Sequence, residues 1–255
     1  MKKYIKIAIN TILRLLPVGI TCRLEFNRQK FIGFNERPLE FSFVFKSIGL
    51  LCPKKILDVG TGKTALPHLM RNCGPLVWAI DNVKDYWSSG MSNRHYVVLD
   101  YDITSEKHLQ VGEKFDLISC VSVLEHIKDH DQAIKNMFEL LNDEGHLVIT
   151  CPYTDDSYHE NVYEIPESNA YGRSIPFVCQ SYSNRKVENW LKQNRGKIIE
   201  QEFWQCWSGK YWTTGDKINP PVRVEANQKH QLICLLIKKC SDDEAKVHEI
   251  RDSNS

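Results

Sequence analysis

Apolar positions fall into short continuous runs at 56–59, 77–80, 96–99, 115–121 and 146–150, separated by segments with helical spacing. A strand covered on both faces needs no polar side, so such runs read as buried strands of a parallel sheet. Between them the pattern predicts helices around 65–71 and 130–141 and a short irregular one over 83–88. Ahead of the first strand, Leu39, Phe41, Phe43, Val44, Phe45, Ile48 and Leu51 suit a mostly buried helix with Asn35 as cap and Pro38 in its first turn. After Cys151 the period is lost, and 152–181 reads as a long loop at the mouth of the sheet. A helix from Ser183 to Leu191 follows, then strands at 197–207 and 231–237, with a loop rich in Gly and Pro over 208–229. The late strands have no helix between them and should pair antiparallel. The expected fold is α/β, a doubly wound, mostly parallel seven-stranded sheet with antiparallel C-terminal edge strands.

This divides the chain into an N-terminal basic helix and arm over 1–37, one domain over 38–240 and a polar, disordered tail over 241–255. Lys2, Lys3, Lys6, Arg14 and Arg23 precede the first acid, Glu25, while Tyr4, Ile5, Ile9, Ile12, Leu13 and Leu16 could share one face. That helix either packs on its own domain or lies on an anionic membrane surface. Lys6, Asn10 and Arg14 interrupt it, so it is neither a membrane span nor a signal peptide. A formal net charge of +1 offers no domain-wide field for nucleic acid. Nine cysteines without a CxxC pair, several inside apolar runs, fit reduced thiols in a cytoplasmic protein better than disulfides or a metal site.

Candidate chemistry centres on 54–64, KKILDVGTGKT, where a strand breaks into a glycine turn. A phosphate loop needs a glycine where Leu57 stands, which excludes it. Gly60-Thr61-Gly62-Lys63-Thr64-Ala65 satisfies a dinucleotide pattern, and Asp81 lies 21 residues beyond Gly60. A carboxylate at that strand end accepts from ribose hydroxyls in nucleosides and dinucleotides alike, so an NAD(P)-binding oxidoreductase stays open on this evidence.

The surrounding segments resemble the class I S-adenosylmethionine-dependent methyltransferases over about 54–151, through ILDVGTG, VWAIDN, LDYDIT, FDLISCVSVLEHI and ELLNDEGHLVIT. The resemblance implies S-adenosylmethionine as cofactor, with Asp58, Gly60, Thr61 and Gly62 around its amino-acid part. It puts Asp81 and Asn82 at the ribose and adenosine, Asp102 and Ile103 at the adenine edge, and Cys120, Val121 and Ser122 near the sulfonium. Asp58 and Asp102 could equally serve as turn caps, and Lys63 could meet the donor carboxylate or solvent.

Methyl transfer demands alignment and a dry site, with a general base where the acceptor is a hydroxyl. His126, His159 and Asp155 are the catalytic candidates by position, with Asp156 and Glu160 beside them; His126 could instead only brace its turn. A metal-binding ExxEH arrangement is incomplete, since Ser122 occupies its first position. Aromatic residues at Phe203, Trp204, Trp207, Tyr211 and Trp212 suit either a polar acceptor or packing. The expected function is methylation of a small-molecule or glycan hydroxyl, the competing reading a non-catalytic protein that binds the donor for sensing or assembly. Peripheral contact of 1–20 with the inner membrane face would suit a lipid-linked acceptor.

Overall fold

The computed structural model describes residues 18–31, 33–87, 92–106, 109 and 114–241. The expected helix over 1–17 and, apart from Ser241, the expected tail lie outside the described residues. The stretch expected to be an irregular arm opens with a helix, α1 (Val18–Asn27). Proline closes a preceding helix and equally starts a following one, and VGITCRLEFN after Pro17 contains no further breaker beyond Gly19.

Helix α2 (Arg37–Leu51) carries Pro38 in its first turn and ends at Cys52, whose φ of +46° puts it in the left-handed region. Asn35 accepts from the Arg37 N–H at 3.3 Å, one residue ahead of the helix cap Glu36. The chain then alternates through β1 (Lys55–Val59), α3 (Leu66–Asn72), β2 (Leu76–Asp81), β3 (Leu99–Asp100), β4 (Phe115–Val121), α4 (His130–Leu140) and β5 (Leu141–Pro152). Helix α5 (Asn184–Asn194) and strands β6 (Gly196–Trp207), β7 (Lys217–Val224) and β8 (Leu232–Lys239) complete it. The irregular helix expected over 83–88 is a set of turns where described, because Asn82 Oδ1 accepts from the Asp85 N–H and competes with helix propagation.

The sheet order is β3-β2-β1-β4-β5-β8-β6-β7, with pairs from β3 through β5 parallel and the β5–β8, β8–β6 and β6–β7 pairs antiparallel. Among the described residues it therefore has eight strands where the apolar pattern predicted seven. The additional strand, β7, lies in the expected 208–229 loop. Pro220 and Pro221 hide it from pattern reading, yet this edge strand tolerates them because they fall where the β6 register is broken, between the Gln205–Val222 and Trp207–Lys217 pairs.

Successive strand residues point to opposite faces, and the core divides accordingly. Ile56, Leu117, Val148 and Leu236 pack with Phe43, Val44 and Ile48 of α2 and Leu66 and Met70 of α3. Leu57, Ile118, Ile149 and Leu235 pack with Ile134, Met137 and Phe138 of α4 and Val187 and Trp190 of α5. Each fully buried Leu or Ile stabilises by about 1.5–3 kcal/mol, so both sheet faces are firmly covered. The strand order reverses between β1 and β4, and ligands of such sheets bind outside the carboxyl ends at that reversal.

Candidate active site

Strand β1 leaves the sheet through Gly60 (φ +72°) and Gly62 (φ +56°). The turn closes on β2, whose Ile80 carbonyl accepts from the Gly60 N–H at 2.9 Å. Only glycine fits the first position, because a Cβ there would stand 2.3 Å from Cγ1 of Val123, in the turn after β4. Beneath the turn, Asp58 is 2% exposed and accepts from Thr61 Oγ1 at 2.6 Å and Ser119 Oγ at 2.7 Å. Burial pushes its carboxyl up to about 6, against the pull of those two hydroxyls.

A cavity of about 430 Å³ opens between the turns. Gly60, Gly62, Asp81, Asn82, Asp102, Ile103, Ser122 and His126 line it, together with the aromatic residues Tyr86, Trp87 and Tyr101. Asp81 Oδ2 accepts from the Gly62 N–H at 2.7 Å, so the acid ending β2 fixes the turn leaving β1. Burial raises the Asp81 carboxyl, opposed by that N–H and by a hydrogen bond from Trp87. Asp102 accepts from both the N–H and the hydroxyl of Thr104 at 2.8 Å, which shapes the turn presenting Ile103.

Across the cavity, Ser122 takes a left-handed φ of +49°, with its N–H on the Thr150 carbonyl at 3.0 Å. Its hydroxyl donates to the buried Glu40 at 2.5 Å; the same carboxyl oxygen accepts from Thr150 Oγ1 at 2.7 Å. Arg37 Nη1 joins the other oxygen at 3.1 Å and the Val121 carbonyl at 3.2 Å. This network pins the start of α2 to the ends of β4 and β5. Burial raises the Glu40 carboxyl despite the opposing Arg37 charge and the two hydroxyls.

His126 sits in a 3-10 turn, Leu124–His126, gripped by the returning end of the 152–181 loop. Tyr182 donates to the Leu124 carbonyl at 2.8 Å, and the Gln180 side chain donates to the Ile127 carbonyl at 2.7 Å. His126 Nδ1 lies 2.6 Å from the Val178 carbonyl, which can only accept; Nδ1 therefore carries the proton and Nε2 the lone pair. Burial lowers the imidazole pKa, opposed by that hydrogen bond and reinforced by Arg37. Glu125 Oε1 lies 3.8 Å from His126 Nε2, and Glu125 Oε2 is buried with no protein partner. Burial pushes the Glu125 carboxyl up to about 8, so it is neutral at pH 7.

Of the positions expected at the site, the cavity wall includes Gly60, Gly62, Asp81, Asn82, Asp102, Ile103, Ser122 and His126. Asp58, Thr61, Cys120 and Val121 lie beneath that wall, all under 10% exposed. His159 and Asp155 are not brought to it. His159 exchanges backbone hydrogen bonds with Ser181 and packs edge-on to Tyr211, while Asp155 lies 3.4 Å from the buried His230. Of the aromatic residues weighed for an acceptor, Phe203 packs with Tyr153 and His230, and Trp207 with Trp212.

Sequence reasoning missed an aromatic group built on Phe177, whose ring lies 4.6 Å from His126, 6.0 Å from Tyr86 and 6.3 Å from Tyr163. It missed Arg37 and Glu40 as well. These residues come from elements distant in sequence, and no local motif marks them. Among the described residues no cluster of His, Cys, Asp and Glu could hold a metal ion, and no helix is long and apolar enough to cross a membrane. All nine cysteines are free and six are buried.

A doubly wound sheet with antiparallel final strands and a glycine-walled nucleoside-sized cavity at its reversal defines a methyltransferase-type domain. Residues 33–201 match a family described as "Methyltransferase domain", and the chain belongs to that family. It is 31% identical over 121 residues to the ubiquinone biosynthesis O-methyltransferase of Glaesserella parasuis, a match covering 44% of this chain and 51% of that protein. The protein of the same name from Haemophilus ducreyi is 28% identical over 123 residues, with the same coverage. The chain thus spans about half the length of the curated relatives it matches. Among solved structures, the YcgJ protein from Bacillus subtilis superposes with a TM-score of 0.53 at 12% identity, covering 79% of this chain and 98% of that one. The methyltransferase in complex with the Haloferax volcanii Trm112 activator gives 0.54 at 11%, covering 81% and 92%. Both likenesses concern the fold.

Proposed function

We propose that the chain is an S-adenosylmethionine-dependent O-methyltransferase acting on a hydroxyl of a small, planar aromatic acceptor. The cavity fits the donor by size, by the Cβ-free approach at Gly60 and by a mix of carboxylate and aromatic walls with little phosphate-binding machinery. In this reading Asp81 holds the ribose, Asn82, Asp102 and Ile103 surround the base, and Gly60 and Gly62 admit the amino-acid part. Asp58 and Thr61 support the turn from below, while Cys120, Val121 and Ser122 form the floor under the reacting end. When bound, the donor supplies a methyl carbon activated by its sulfonium.

The observation that carries the O-methylation reading is the fixed tautomer of His126, a residue of the cavity wall, which leaves the lone pair on Nε2. That nitrogen receives the acceptor hydroxyl's proton. Phe177, Tyr86 and Tyr163 supply flat apolar faces beside it for an aromatic ring. The curated relatives are named for O-methylation in ubiquinone biosynthesis, which supports oxygen as the methylated atom. The test is transfer of labelled methyl to a panel of phenols, catechols, sugars and amines. Label appearing on phenolic oxygen, and its loss in His126→Asn, supports the reading; transfer only to nitrogen overturns it. Binding of S-adenosylmethionine with no turnover on any acceptor would favour a sensing or assembly role.

An anionic membrane surface suits the arm before α2. Residues 1–34 carry seven Lys and Arg against the single acid Glu25, and Phe26, Phe31 and Phe34 are 69%, 82% and 64% exposed. Sedimentation with anionic vesicles should fall in a Phe26→Ser, Phe31→Ser variant; unchanged sedimentation rejects the contact.

A further inference from the structure

Gly62 is gripped at both ends of its residue. Its N–H donates to Asp81 Oδ2 at 2.7 Å, and its carbonyl accepts from Asn93 Nδ2 at 3.0 Å. The second N–H of the same Asn93 amide meets the Thr64 carbonyl at 2.9 Å. On its other side, Asn93 Oδ1 accepts from the N–H of His95 at 2.7 Å and of Tyr96 at 2.9 Å. Two carbonyls on one side and two N–H groups on the other fix the orientation of the amide. Gly60 and Gly62 both hold left-handed φ values, which an unsupported glycine turn visits only among many others. Fixing the carbonyls of residues 62 and 64 holds the peptide planes after the turn, and with them the wall that Gly62 contributes to the cavity.

We propose that Asn93 is a positioning residue for the methyl donor: it locks the glycine turn in its binding shape, so that donor affinity does not have to bear the cost of ordering it. The proposal rests on the donor-binding reading above. It touches neither the reacting end nor His126, so its effect falls on donor affinity.

Asn93→Asp separates the clamp from the loop that carries it. A carboxylate keeps both acceptances from His95 and Tyr96 but turns an oxygen toward the Gly62 and Thr64 carbonyls. Titration calorimetry of the full chain with S-adenosylhomocysteine should show about ten-fold weaker binding in Asn93→Asp than in wild type, with the ligand-free thermal midpoint within a few degrees of wild type. Equal affinity in the two proteins overturns the clamp. No binding to wild type overturns the donor-binding reading itself. Hydrogen exchange on wild type supplies a check independent of how the variant folds. The hydrogen-bonded amides of Gly60, Thr61, Gly62 and Thr64 should be protected before ligand is added, and free exchange that becomes protected only with ligand overturns the locked turn.

Discussion

His126 is held by Val178: Nδ1 donates to that backbone carbonyl across 2.6 Å, and the residues are 52 positions apart in the chain. A backbone acceptor fixes the tautomer without adding a charge, and burial holds the imidazole pKa below its ordinary 6.5. The imidazole is therefore mostly neutral at pH 7 and above. Turnover with a phenolic acceptor should rise with pH through a value below 6.5 and then level off, while His126→Asn should lose about 10²-fold or more and lack the acid limb. A pH profile of kcat on both proteins checks this. The unfolded chain takes up the proton first as pH falls, so this imidazole also removes stability below its ordinary value.

The contact between Gly60 and Val123 makes a second case. Gly60→Ala combines a backbone strained at φ +72° with a methyl group 2.3 Å from Val123 Cγ1. Strain and overpacking each cost ~1–3 kcal/mol, so the denaturation midpoint and donor affinity should both fall. Adding Val123→Ala removes the two methyl clashes but leaves its Cβ at 2.9 Å and the strain, and should restore stability only in part. Full restoration would mean that neither the left-handed conformation nor the remaining Cβ contact carries a cost.

Most of the sheet is legible in the sequence because its strands are buried on both faces and read as unbroken apolar runs. Strand β7 is not, since Pro220, Pro221 and Arg223 on an edge obey no such pattern. The glycine wall of the cavity is equally legible, because Gly60, Gly62 and Asp81 are set by local turn chemistry within two adjacent strands. The side of the cavity around His126 and Ser122 is not. Val178 and Phe177 reach His126 only through the path of an irregular loop, while Glu40 reaches Ser122 and Arg37 reaches the Val121 carbonyl from a helix 82 and 84 residues earlier. His159 and Asp155 show the converse: position at the strand ends suggested catalysis, and the loop carries them elsewhere.

Glu125 predicts a stability signature. Its folded-state value of about 8 lies above the ordinary 4.5, so the folded protein keeps a proton that the unfolded chain has released between those values. Stability should fall across this window as pH rises, by at most ~1.4 kcal/mol per pH unit, and level off above it. Glu125→Gln has no proton to lose. Urea midpoints at several pH values should show the variant gaining on wild type from acid toward pH 8, whereas a constant difference would assign the carboxyl an ordinary value.

Phe177 offers the sharpest division between the two halves of the site. It touches His126, Tyr86 and Tyr163 but is not part of the wall formed by Gly60, Gly62, Asp81 and Ile103. Phe177→Ala removes the flat face on which an aromatic acceptor would rest, while the Nδ1 bond to the neighbouring backbone carbonyl survives because it needs no Phe177 side chain. The acceptor KM should rise about ten-fold, on the scale of one lost aromatic contact, with the dissociation constant of S-adenosylhomocysteine unchanged. Phe177→Tyr keeps the ring and should restore most of the loss. If donor binding falls in parallel with acceptor binding, Phe177 supports the cavity as a whole; if neither moves, the acceptor enters by another face.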